Sequence, residues 1–458
     1  MGTIAEKLEY LADTKTAIKT ALENKGAIVG SKPFRQYASI IDTFNFSSAD
    51  WYGIEWDIMN ANGIMKRIGN MNYHASLPVQ SLMRGCMLLD DGTVNYYLHP
   101  TNWTLRADGI TAAVHDGSEG QVMVEIPDHW LLFEEDADGY TKRVKLSHTA
   151  LAGYIFRPRC YVSAYEAALK RNTLTLSSVI NTDANYRGGN NQSAWDGTYR
   201  SLLGKPATAI SKTNFRTYAR NRGSRWNILP DHVYNSIFWL YMIEYANRNS
   251  QAPVNAVLDA NGCRQGGLGS GVTTTDSGSW NSYNGYYPFI ACGASNSLGN
   301  FSGEVGVAPA SYPGGVTFMV PRYRGIENIF GHLWKYLDGV VLNGTASENQ
   351  IYTTSDPTYF DDTITGKDYI GLTPIVSAYF TEILYGATGC IYPKFGTAVG
   401  TALTHWFDQY ETNAGANVRA VLVSGLASNG TAAGLASAHT GRAASYASAN
   451  VGSRLCFL

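Results

Sequence analysis

Asp361 and Asp362, adjacent carboxylates in YFDDTITGKD, are the side chains best suited by type and spacing for chemistry. A glycosidase needs two such groups across a sugar bond, one to give a proton and one to attack or to activate water. Such pairs meet in space rather than in sequence, however. A D-D step is also ordinary turn chemistry, because Asp binds nearby backbone N–H groups. The same turn reading covers Asp90, Asp91, Glu125, Glu134, Glu135 and Asp136. The glycine run GGLGSG, Gly266–Gly271, lacks the strand-then-helix setting of a phosphate cradle. There is no nucleophile elbow, P-loop, H-E-x-x-H helix or EF-hand loop. Nine histidines, His74 and His99 among them, show no metal-ligand spacing. Six scattered cysteines form no C-x-x-C pair and read as buried free thiols. The expectation is no catalytic residue, no metal and no cofactor.

The elements that would position any site are β-rich and turn-rich. Charged residues are only 16% of the 458, against 30 Tyr, 16 Phe and 10 Trp, so the chain can bury a large aromatic core. A net charge of −2 gives no electrostatic case for nucleic acid or an anionic membrane. The start, MGTIAEKLEY, has no apolar export segment, and IFWLYMI is too short to span a bilayer. Synthesis in a cytoplasm without membrane insertion is therefore expected.

Three regions are expected: 1–47, 48–160 and 161–458. The first reads as a helical stem. Thr3 and Glu6 form a capping-box pattern, Gly26 a stop, and Ile4, Leu8, Leu11, Ile18 and Leu22 a seven-residue seam interrupted by Lys15. That seam is either one face of a helical hairpin, with a second helix from Pro33, or an oligomerising attachment. Residues 48–160 carry short alternating runs between D-D-G, D-G-S and D-A-D-G turns, the pattern of a small β-domain. In the third region YVSAYEAALKRN and NILPDHVYNSIFWLYMIEYANRNSQ read as helices, with Asp231 as an N-cap. The long Gly/Asn/Ser loops around them carry Trp195, Trp280, Tyr283 and Tyr287 and read as ordered.

PRYRGIENIFGHLWKYLDGVVLNG, NTDANYRGGNNQSAWDG and the closing VGSRLCF resemble the C-type-lectin-like fold of the formylglycine-generating-enzyme subclass. GHLWKY, Gly331 to Tyr336, sits where that subclass has its G-N-V-W-E-W motif, and Val451–Phe457 where it has its closing G-F-R strand. Within the subclass the chain is most similar to the variable proteins of diversity-generating retroelements, notably phage tail-fibre receptor-binding proteins. EKLEYLADTKTAIKTAL and KPFRQYA resemble the N-terminal segments of phage tail proteins. The resemblance implies an α+β chain: a helical stem, a small β-rich domain and a C-type-lectin-like domain whose variable region spans about 400–458. It implies a virion protein that adheres to a host-surface protein or glycan, joins other tail proteins through its N-terminus and forms a homotrimer. The enzymatic role does not carry over, because Cys390 and Cys456 stand in separate contexts. The E-P-N and W-N-D calcium motifs of animal lectins are also absent. The alternatives are a surface-glycan depolymerase or another hydrolase on a tail, and a cellular display protein.

In such proteins adenine-directed mutagenesis varies the C-terminal repeat. It cannot produce Lys, Glu, Gln, Met or Trp from the family's AAY codons, and Leu426–Asn450 contains none of the five. Ala alternates with larger or polar residues in ASAHTG and YASAN, which predicts small residues inward and the others outward. The resemblance thus places a binding face at Leu426, Ser428, Asn429, Ala432, Ser437, His439, Gly441, Arg442, Ser445, Tyr446 and Ser448. Thr404, His405, Phe407, Gln409 and Tyr410 adjoin it. Tyr446, Tyr410 and Arg442 are the expected anchors, since Tyr and Arg are enriched at binding hot spots.

Overall fold

Helix α1 (Ile4–Asn24) starts directly after Thr3, and its apolar seam divides into two parts. At its C-terminal end Leu22 is buried with Val29, Tyr37 and Ile40, the last two on α2 (Tyr37–Thr43), so this end is a hairpin. Ile4, Leu8 and Leu11 are 79%, 61% and 58% exposed, which leaves the N-terminal half of the seam uncovered. The computed structural model describes residues 3–24, 29–43, 49–60, 63–198, 201–255, 288–308, 317–398, 406 and 408–458. Gly26, Cys263, Gly266–Gly271, Trp280, Tyr283, Tyr287, Thr404, His405 and Phe407 lie outside these residues.

The rest is mixed α+β and mostly strand. Tyr52–Asp57, Lys66–Gly69, His129–Glu135, Thr141–Ser147 and Ile155–Arg157 form a five-stranded sheet. Ion pairs such as Lys145 with Glu134 (2.6 Å) and Arg143 with Glu55 (2.6 Å) lace it, and Glu134 and Glu135 lie in its paired strand His129–Glu135 rather than in a turn. Glu125 departs from the turn reading as well. It is buried within the strand Gln121–Ile126, where it takes the Tyr97 hydroxyl at 2.6 Å.

A seven-stranded sheet has the order Trp226–Ile228, Leu455–Phe457, Cys160–Ser163, Gln121–Ile126, Arg84–Leu88, Val94–His99, Asn102–Arg106. The boundary expected at residue 160 therefore runs through a sheet. The last strand of the chain lies between Cys160–Ser163 and Trp226–Ile228, with Tyr161 and Trp226 both opposite Phe457. The helix expected over YVSAYEAALKRN is instead two strands, Cys160–Ser163 and Ala168–Lys170. Its residues have helix-compatible spacing, but strands on both sides offer Cys160–Ser163 ladder partners, and tertiary pairing overrides so weak a local preference.

The second helical expectation matches α5 (Asp231–Tyr245), preceded in the chain by two further helices, α3 (Met71–Ser76) and α4 (Lys212–Arg220). Twelve residues of α5 are buried, from Asp231 to Ile243, because it is apolar on nearly every side and lies within the core. Pro230, not Asp231, holds the N-cap position, and the Asp231 carboxylate instead accepts the Tyr392 hydroxyl. Trp239 stacks on Trp56 at 5.7 Å and meets Trp406 edge-on at 6.3 Å. One aromatic cluster therefore joins the first sheet, α5 and the C-terminal third.

That C-terminal third is a ten-stranded sheet in which Val418–Val423 lies between Val340–Gly344 and Ala438–Arg442. Trp334–Tyr336 pairs with Val418–Val423 on one side and with Val451–Gly452 on the other.

Candidate functional site

The segment GHLWKY is the platform of the site. His332 and Lys335 are both buried, and both reach Glu166: His332 Nδ1 lies 2.6 Å from Oε2, and Lys335 Nζ lies 3.1 Å from Oε1. His332 Nε2 accepts the backbone N–H groups of Phe289 and Ile290 at 3.1 and 3.2 Å, so Nδ1 carries the proton that Glu166 receives. Burial pushes the Glu166 carboxyl up, but the hydrogen bond from His332 and the charge on Lys335 outweigh it and hold the group down at about 2. Burial lowers the Lys335 ammonium to about 8 against the pull of Glu166. The Arg454 guanidinium donates to the carbonyls of Ser163 (3.1 Å), Asn328 (2.9 Å) and Glu327, which fastens the closing strand to this network.

The other two residues of the motif face the C-terminal segment. Trp334 is buried beneath His439, with ring centroids 5.6 Å apart. The Tyr336 hydroxyl donates to the carbonyl of Tyr446 at 2.6 Å. Further backbone bonds run from Ala209 N–H to Ser448 O (2.9 Å), Lys212 N–H to Ala444 O (3.0 Å) and Trp334 N–H to Asn450 O (3.1 Å). The tiny side chains let this backbone lie flat against the body, and Ala444, Ala449 and Tyr446 pack on the core beneath. The segment is thus held along its length, although few of its bonds belong to a sheet.

On top lies a small polar and aromatic face. The Arg442 guanidinium sits 4.5 Å from the centre of the Tyr446 ring, a cation–π contact. Arg442 Nε donates to His439 Nε2 at 3.2 Å, and His439 Nδ1 lies 3.1 Å from the Glu411 carbonyl and 3.2 Å from the Gly441 N–H. Burial lowers the His439 pKa, and Arg442 adds to the effect while Glu411 opposes it. The Glu411 carboxylate accepts from Asn429 Nδ2 at 3.2 Å, and Asn429 Oδ1 accepts the Leu426 N–H at 2.8 Å. A cation, a ring, a carboxylate and an amide are therefore fixed in one patch. Such a patch offers a ligand charge, hydrogen bonds and a ring at once.

Arg442 and Ser445 are exposed as expected, and Ser428, Asn429, Gln409, His439, Gly441, Tyr446 and Ser448 are partly so. Four expected face residues are interior. Tyr410 is fully buried, its hydroxyl 2.8 Å from Thr373 Oγ1 and 2.7 Å from Thr440 Oγ1, so it is a core residue and not an anchor. Ser437 is buried because it precedes the strand, in a turn where its Oγ donates to the Gln409 carbonyl at 3.2 Å. Leu426 and Ala432 are buried at the two ends of the short helical turn Ala427–Ala432. The inward–outward alternation holds only within Ala438–Arg442, where Ala438 and Thr440 point in. Glu411 was missed. Its signal lies in the pairing of Glu411 with His439 across neighbouring parallel strands, which sequence spacing does not reveal.

No protein-family model and no curated protein matches the chain. Among solved structures the chain is similar to the Major Tropism Determinant U1 variant, at 12% identity and a TM-score of 0.21, over 75% of this chain and 83% of that one. It is also similar to the Major Tropism Determinant M1 variant, again at 12% identity and 0.21, over 86% and 88%. Superpositions at that score decide neither the fold nor the site.

Proposed function

We propose that the chain is a host-recognition adhesin at the tip of a phage tail fibre, with a C-type-lectin-like C-terminal domain that binds a host-surface protein or glycan. The observation that carries this reading is the patch of Glu411, Asn429, His439, Arg442 and Tyr446. Its side chains reach solvent while its backbone is held by Trp334, Tyr336 and the closing strand. A surface whose side chains can change without disturbing the frame is the arrangement a diversified binder needs. The depolymerase alternative has less support. Asp362 is bound by Arg216 at 2.7 Å and Asp361 by Lys367 at 2.7 Å, so both are engaged in structural ion pairs. The thiols of Cys390 and Cys456 are pushed up by burial, away from the reactive thiolate.

Tyr446→Ala tests the reading. Loss of a hot-spot aromatic costs about 2 kcal/mol or more of binding, roughly thirtyfold in adsorption to the host. The thermal midpoint should stay near the parent's, because the ring is only partly buried. Unchanged adsorption would exclude this face as the receptor site.

A single such patch binds weakly, so several copies acting together suit the role. The uncovered Ile4, Leu8 and Leu11 of α1 support trimerisation or attachment through the stem. Light scattering should show a trimer that Leu8→Asp with Leu11→Asp converts to monomer. A monomeric parent protein at micromolar concentration would remove the trimer from the proposal.

A further inference from the structure

A second site lies on residues that share nothing with the C-terminal face. Where the edge strand Ile155–Arg157 meets the start of α5, two adjoining hollows of about 350 and 340 Å³ open. Each is within the size range of small-molecule sites. Arg157, His232 and Ser355 line both.

Four buried polar atoms on this lining lack any hydrogen-bond partner: Arg157 Nε, His129 Nε2, His232 Nδ1 and Asn235 Oδ1. His129 is 1% and Asn235 6% exposed, so water does not serve them freely. A buried polar atom is costly while unpaired, and four on one lining point to a ligand that would pair them. Their hydrogen-bonding roles are defined. His129 Nδ1 lies 2.9 Å from the Pro127 carbonyl and must donate to it, which leaves Nε2 as an acceptor. Burial lowers the His129 pKa to about 4, so the ring is neutral at neutral pH. Asn235 Nδ2 donates to the Gly389 carbonyl at 2.7 Å, which orients Oδ1 as a second acceptor.

Arg157, which lines both hollows, brings a guanidinium to the same cleft as the two acceptors. Asp231 and Asp368 line one hollow with it, and Arg159 and Arg225 line the other. Asp231 is already bound by the Tyr392 hydroxyl, and Arg225 by the carbonyl of Leu458. Tyr369, about half exposed, offers a ring at the mouth.

We infer that this cleft binds an acid-bearing sugar of one or two rings, with its carboxylate on Arg157 and its hydroxyls donating to His129 Nε2 and Asn235 Oδ1. A carboxylate alone would leave both acceptors unpaired, and a neutral sugar would offer no anionic acceptor to Arg157 Nε. The inference does not depend on the C-terminal face being a receptor site.

Calorimetric titration of the full chain with D-glucuronate, D-glucose and acetate tests it. Glucuronate should bind saturably and at least about tenfold tighter than either control, since it alone can pair both Arg157 and the two acceptors. Arg157→Met should abolish that preference and leave the thermal midpoint unchanged or higher, because it removes a desolvated cation whose Nε has no partner. His129→Phe provides a second reading should that variant fold poorly, and should weaken glucuronate severalfold. Absence of saturable glucuronate binding, or binding untouched in both variants, overturns the site. Acetate binding as tightly as glucuronate overturns its assignment to a sugar.

Discussion

Glu166→Gln should destabilise the protein by about 3–5 kcal/mol, the range for removing one partner of a buried ion pair. The isosteric amide fills the same space and can still accept from His332 Nδ1. It cannot neutralise Lys335, whose ammonium is buried beside it and has the Leu333 carbonyl (2.9 Å) as its remaining partner. Lys335→Met in the same chain should restore part of the loss, because the uncompensated charge is then gone. The pH dependence has a definite sign. Glu166 is held near 2 in the folded protein, against an ordinary value of 4.5, so its contribution is complete above about 4.5. It fades as pH falls towards 2, and the stability gap between parent and Glu166→Gln should narrow over the same window. Denaturant unfolding at several pH values measures both effects. Equal stability of parent and variant at neutral pH would mean that the network does not hold the motif.

Trp334→Ala should cost a similar ~3–5 kcal/mol, the sum of lost apolar transfer and the cavity left behind. Trp334 is 3% exposed, in a strand paired to Val451 on one side of the motif, and its ring is the floor under His439. The variant should therefore lose stability and binding together, whereas Tyr446→Ala should lose binding alone. Trp334→Phe, which retains an aromatic floor, should recover a large part of both. Unfolding curves and adsorption measured on the same three variants check this. A Trp334→Ala protein of parental stability would place the support of the face elsewhere.

Much of the scaffold was legible in the residue pattern. The apolar sweep of DHVYNSIFWLYMIEY specifies a buried helix, D-G turns specify hairpins, and VGSRLCF specifies an ordered closing segment. Each of these depends on neighbours within a few residues, where hydrophobic period and turn chemistry act directly. The exposure of Arg442 and Ser445 was legible too, since polar residues among alanines have little reason to be inside.

Tertiary structure alone decided the rest. Tyr410 and Ser437 have the composition of a binding surface and are interior, because strands distant in sequence close over them and offer their hydroxyls partners. Glu411 joins the face only through a parallel register with His439, and Glu166 meets its motif across 166 residues of chain. The seven-stranded sheet takes strands from both sides of residue 160 for the same reason. Burial and charge pairing belong to spatial neighbours, and a one-dimensional pattern specifies which residues need a partner without specifying which partner they meet.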